Sequence, residues 1–122
     1  MSEEIREKFE FVLESILLIN QRFSEIRFAN DFIADVTGKT LLDSIAMRLQ
    51  AIGDNIKSVK KRSPEILLQY PSVDWTNIIR MRDLISHHYD GLDHEIIYDI
   101  CQKNIPELQK IVELIVFKHN RV

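Results

Sequence analysis

Apolar residues recur every three or four positions over most of the 122-residue chain, which is the spacing of one face of an α-helix. The first stripe predicts a helix over residues 5 to about 23, then a continuation or short second helix ending near Gly38. A longer helix is predicted from about Thr40, with a narrow apolar stripe at Leu42, Ile45, Leu49, Ile52, Ile56 and Val59. Such a stripe is typical of a helix packed along a partner helix, in the same chain or a second one.

Prolines and glycines mark the remaining helix ends. Pro64 and Pro71 bracket the longest connection, and Asp74 is the expected N-cap of a fourth helix over residues 75 to about 89, which Gly91 ends. A short helix over residues 93–102 and a last helix beginning at Pro106 follow. No segment alternates strictly as a half-buried strand does. The prediction is an all-α chain, a single helical bundle of about five helices forming one domain.

Composition limits the function classes. Sixteen Lys and Arg against nineteen Asp and Glu give a net charge of -3, which argues against a sequence-indifferent nucleic-acid coat but not against a local phosphate pocket. The single Cys101 allows no internal disulfide, and no Cys cluster could hold zinc. With no signal peptide and no apolar run near the ~20 residues of a membrane helix, a cytoplasmic protein without membrane or cofactor is expected.

The side chains with chemical potential concentrate in residues 80–95, RMRDLISHHYDGLDHE. One interpretation is purely structural: Arg80 and Arg82 are solvated or paired with Asp83, and the histidines favour the negative end of a helix dipole. A second is an anion or nucleotide site in which the two arginines bind phosphate. A third is acid/base chemistry on a phosphodiester, with His87 moving a proton and Arg82 stabilising charge.

A fourth interpretation is a metal site. His87 or His88 would join His94 and either Asp90 or Asp93. These ligand types suit zinc. However, no two of the histidines are three or four residues apart on one helix, so the loop would have to bring them together.

One motif in this segment resembles a known family. Arg82 to Tyr89 is written R-x(4)-H-x-Y, preceded by Trp75 and, on the long helix, by Gly53 and Asp54. The pattern is similar to that of the HepT-like toxins of the HEPN ribonuclease superfamily, except that Asp54 stands where a Glu is more usual. The similarity covers nearly the whole chain.

The resemblance implies a metal-independent endoribonuclease acting on RNA. His87 would be the catalytic acid/base and Arg82 would steady the phosphate, supported by Asp83, Ser86 and His88. The resemblance also implies a homodimer whose two motifs share a cleft. A cognate nucleotidyltransferase antitoxin would silence the toxin by transferring AMP to Tyr89. The alternative is a non-catalytic HEPN module that binds nucleotides or proteins.

Helix geometry constrains this site. Arg82 and Tyr89 are offset by about 20° on an ideal helix, but His87 lies about 140° from Arg82. Either the helix unwinds near Gly91, or the site combines Arg82 and His87 of two chains, with the apolar stripes then partly intermolecular.

Basic residues outside the motif are candidate contacts to the RNA backbone. They are Arg80, Lys57, Lys60 and Lys61. The three lysines also suit the C-terminus of the long helix, whose dipole favours positive charge there.

Overall fold

The computed structural model describes the backbone of residues 1–88 and 91–120 and the side chains of residues 1–86 and 91–118. Within these ranges all regular structure is helical, which confirms the all-α prediction. None of the described helices has the length and apolarity needed to cross a membrane. The elements are α1 (Glu3–Phe23), α2 (Asp31–Ala34), α3 (Val36–Arg62), α4 (Pro64–Leu68), α5 (Trp75–His88), α6 (His94–Asp99), a π-helical turn (Ile100–Asn104) and α7 (Ile105–Asn120).

The predicted end near Gly38 is wrong. The short helix α2 ends at Ala34, and Asp35 caps α3 by accepting a hydrogen bond from the Gly38 backbone N–H at 2.7 Å. Gly38 is instead buried in the first turn of α3, where an added Cβ would lie 2.0 Å from the backbone oxygen of Asp31. The glycine therefore serves the close packing of α2 on α3, and α3 begins earlier than the predicted Thr40.

Helix α3 is the central element, with α1 on one side and α5 on another. Every residue of its predicted apolar stripe is buried in the single chain, at 6% exposure for Leu42 and 0% for the other five. The partners of this stripe therefore lie in the same chain, and the hypothesis of a partly intermolecular stripe is wrong for α3. Helix α7 packs against α1 and contributes Leu108, Val112 and Ile115 to the same core.

The start of α5 is fixed by two residues. Asp74 accepts a hydrogen bond from the backbone N–H of Asn77 at 3.1 Å, which confirms the predicted N-cap. Trp75 is buried, and its indole N–H lies 3.1 Å from the carbonyl oxygen of Leu67 and 3.0 Å from that of Tyr70. These bonds tie the beginning of α5 to the connection that follows α3, so the position of α5 along α3 is set at this end.

Candidate active site on helix α5

The backbones of α3 and α5 approach closely at Gly53. A Cβ added there would lie 2.7 Å from the Arg82 Cβ, 3.1 Å from the Arg82 backbone nitrogen and 3.2 Å from the Ile78 carbonyl oxygen. Only a residue without a side chain permits this spacing. The start of α5, at Trp75, shares a groove with Lys60 near the end of α3, so the two helices run antiparallel.

Arg82 is held between two carboxylates at this contact. Its Nε donates to Oδ1 of Asp54 on α3, and its Nη1 donates to Oδ1 of Asp83 at 2.9 Å. The arginine side chain is 35% exposed, so the guanidinium remains accessible to a ligand. The carboxylate of Asp54, and secondarily that of Asp83, raises the pKa of Arg82 above its usual value. The guanidinium therefore stays positively charged through the neutral pH range in which histidines titrate.

In the sequence, Asp54 stands out only because a Glu is more usual at this position of the HepT-like pattern. Asp54 and Arg82 are 28 residues apart in the sequence. The local periodicity of apolar residues cannot predict a contact over that separation. The one available signal was the neighbouring Gly53, since a glycine inside a long helix often marks a close approach.

The predicted acid/base residue lies on the same helix as Arg82. Helix α5 is continuous from Trp75 to His88, so the backbone does not unwind between Arg82 and His87. Residues 89 and 90, next to Gly91, lie outside the described residues. Ser86 is half-buried one turn after Arg82. The side chains of His87 and His88, and all of Tyr89, lie outside the described residues.

The other predicted contacts are not gathered around Arg82. Arg80 precedes it by two residues, about 200° round the helix, and borders a different groove with Asn77 and Asn104. The three lysines are exposed along the last two turns of α3: Lys57, Lys60 and Lys61. Lys60 lies about 9 Å along the helix axis from Asp54, away from the end of α5 that carries His87.

Two of the residues considered for a metal site have other partners. His94 Nε2 lies 3.0 Å from Asn30 Oδ1, and the Asp93 carboxylate caps α6 by accepting from the backbone N–H groups of Glu95 and Ile96. No group of three or more His, Cys, Asp or Glu within the described ranges is arranged to hold a metal ion. The remaining candidates, His87, His88 and Asp90, lie outside the described side chains.

Comparison with known proteins identifies the class of this chain. Residues 12–115 match the model of the family described as "Ribonuclease HepT-like". The chain belongs to the HepT-like ribonuclease family, as the motif resemblance predicted, and its enzyme class is ribonuclease.

Relatives of similar length carry matching names. A "Putative RNase" of Caldanaerobacter subterraneus subsp. tengcongensis is 32% identical over 113 residues, covering 93% of this chain and 95% of the relative. Another protein of that name, from Methanocaldococcus jannaschii, is 32% identical over 93 residues, or 74% of each chain. A "Probable ribonuclease HepT" of Thermococcus cleftensis is 28% identical over 109 residues, covering 89% of this chain and 93% of the relative. No significant match was found among solved structures.

Proposed function

We propose that this chain is a metal-independent endoribonuclease and the toxin of a toxin–antitoxin pair, acting as one domain in each subunit of a homodimer. The observation that carries the proposal is the accessible Arg82 guanidinium, fixed on α5 with His87 five residues further along the same helix. A permanent cation and a group that titrates near neutral pH are the two requirements for cleaving a phosphodiester without a metal.

The proposed reaction is an internal transesterification of RNA. His87 removes the proton of a 2′-hydroxyl, whose oxygen forms a bond to the adjacent phosphorus. The bond from phosphorus to the 5′-oxygen breaks, and a second histidine donates a proton to that leaving oxygen. Arg82 offsets the negative charge that grows on the non-bridging oxygens. The products are a 2′,3′-cyclic phosphate and a free 5′-hydroxyl.

The spacing of Arg82 and His87 favours a site made from two chains. On the continuous α5 the two positions are about 140° apart, so they do not face one phosphate together. In a symmetric dimer the Arg82 of one protomer and the His87 of its partner can line a shared cleft. Asp83, Ser86 and His88 would support that cleft, and Arg80, Lys57, Lys60 and Lys61 would contact RNA beyond it.

Cleavage in excess chelator tests this proposal. The wild-type protein, shown by intact mass to be unmodified, is expected to cut RNA in EDTA and to leave 2′,3′-cyclic phosphate ends. The rate should follow a bell-shaped pH profile, because one histidine must be neutral and another protonated, whereas Arg82 stays charged throughout. Activity that disappears in chelator and returns with a divalent ion would refute the proposal. No cleavage at all would favour a non-catalytic binding module.

We further propose that a nucleotidyltransferase antitoxin silences the protein by transferring AMP to Tyr89. On an ideal helix Tyr89 would follow Arg82 by two turns with an offset of only about 20°. An adenylate there would bring a phosphodiester to the same face as Arg82 and compete with RNA for its charge.

Tyr89→Phe separates modification from cleavage. The variant should retain wild-type RNA cleavage within about threefold, because the phenol takes no part in the proposed proton transfers. Incubation with the antitoxin and ATP should add one AMP, a mass gain of about 329 Da by the chemistry of adenylation, to the wild type but not to Tyr89→Phe. Tyr98→Phe is the matched control, since its hydroxyl donates to the Arg27 carbonyl oxygen at 2.9 Å, away from α5. Adenylate found on Tyr98 or Tyr70 would contradict the assignment.

A further inference from the structure

Asp54 differs from the other polar residues near the motif because it reaches the site from another helix. Its carboxylate extends from α3 to the Nε of Arg82 on α5. The close approach at Gly53 makes this contact possible for a side chain as short as aspartate. Asp54 is itself 49% exposed, so it is poorly suited to a role in the core. An exposed single ion pair contributes little to folding, which leaves the orientation of Arg82 as its main effect.

The hydrogen bonds of Arg82 show what that orientation leaves available. A guanidinium has five N–H donors. The bond to Asp54 uses the donor on Nε, and the bond to Asp83 uses one of the two on Nη1. Among the described residues Nη2 has no hydrogen-bond partner. A carboxylate on Nε fixes the plane of the group, so the free Nη2 donors point in one direction. A phosphate approaching from solvent can accept them.

The charges around Arg82 have a second consequence. Two carboxylates face one guanidinium, so the local charge in the free protein is about -1 when both are ionised. Removing either carboxylate would increase the attraction for a phosphate. The carboxylate of Asp54 therefore weakens binding of RNA in the ground state. Any contribution that Asp54 makes to catalysis must come from stabilising the transition state.

We propose that Asp54 is a positioning residue that aims Arg82 at the scissile phosphate, favouring turnover at the expense of RNA affinity. This inference rests on the proposed ribonuclease mechanism and adds a residue to it. This role predicts that kcat and the affinity for RNA respond differently when Asp54 is removed. Without Asp54 the Arg82 guanidinium stays charged but samples several orientations. Substrate therefore still binds, while the alignment of the reacting groups is lost.

The test compares Asp54→Ala, Asp54→Glu and wild type. We expect Asp54→Ala to lower kcat about 100-fold, the cost of a misplacement near 1 Å, while the Kd for an uncleavable 2′-O-methyl RNA is unchanged or lower. Asp54→Glu restores a carboxylate and should recover most of kcat. Glu14→Ala removes an exposed carboxylate from α1 and controls for the general effect of charge on RNA binding. Thermal melts of all variants check that the fold is intact.

The decisive comparison asks whether the effect of Asp54→Ala on the cleavage rate requires Arg82. If Asp54 acts through Arg82, adding Asp54→Ala to Arg82→Ala should not lower the residual rate further, measured in long single-turnover reactions. Unchanged kcat in Asp54→Ala, or parallel losses of kcat, RNA binding and thermal stability, would overturn the positioning role. The proposed ribonuclease is judged separately, by His87→Ala. If that variant cleaves like wild type the mechanism itself fails, whatever Asp54 does.

Discussion

Replacing His87 with alanine is expected to reduce RNA cleavage on the order of 10³-fold in excess chelator, because general acid–base catalysis contributes about 10²–10⁴. The far-UV circular dichroism should not change, since the substitution lies in the last turn of a helix and alanine is a good helix former. His94→Ala is the matched control: its ring contacts Asn30, and it belongs only to the alternative metal site. Full activity in His87→Ala, or loss of activity in His94→Ala, would contradict the assignment.

Mixing two inactive variants tests the proposed homodimer. If Arg82 and His87 act from different chains, an Arg82→Ala chain paired with a His87→Ala chain has one intact site and one doubly defective site. Random exchange of equal amounts should then recover about a quarter of wild-type activity, because about half the dimers are mixed and each has one working site of two. A site contained in one chain, or one that needs the His87 of both chains, would recover none.

Substituting Gly53 with alanine is expected to affect both stability and activity. The new Cβ would lie 2.7 Å from the Arg82 Cβ, and the other close atoms belong to the backbone of α5, which cannot rotate away. Overpacking costs about 1–3 kcal/mol, partly offset by the ~1 kcal/mol by which alanine favours a helix interior over glycine. We therefore expect the free energy of unfolding to fall by up to about 2 kcal/mol in urea titrations. Cleavage should fall by up to about 100-fold as Arg82 is displaced.

Gly91→Ala is the matched control for this substitution, because a Cβ at Gly91 meets no atom of the described residues within 4 Å. Its stability should equal or slightly exceed that of the wild type. Wild-type stability and activity in Gly53→Ala would mean that the two helices do not need their close approach.

Local pattern was sufficient for most of the fold. The stripe on α3 and the N-cap at Asp74 follow from periodicity and capping chemistry, and each is confirmed. The error at Gly38 has a physical cause. Glycine often follows the end of a helix, but here it sits inside one because the carbonyl of Asp31 packs against it. The role of Gly38 is set by a tertiary contact, which the residues next to it in the sequence do not indicate.

The candidate site was predictable to a similar extent. The motif identified α5 and Arg82, and the pairing with Asp83 was one of the interpretations considered. Helical periodicity also indicates that Arg80 faces away from Arg82. The bond from Asp54 requires the packing of α3 on α5, which one chain's periodicity does not specify. The roles of His87 and Tyr89 remain predictions for the experiments above.

The two carboxylates on Arg82 also determine how this site should respond to ionic strength. When a free cationic side chain binds a phosphate, counterions released from RNA make the affinity fall steeply with salt. At Arg82 the two carboxylates give a local charge of about -1 when both are ionised, so a phosphate accepted by Nη2 would release few of the counterions on RNA. If RNA binds there as proposed, its affinity at this guanidinium should depend more on geometry than on the salt concentration.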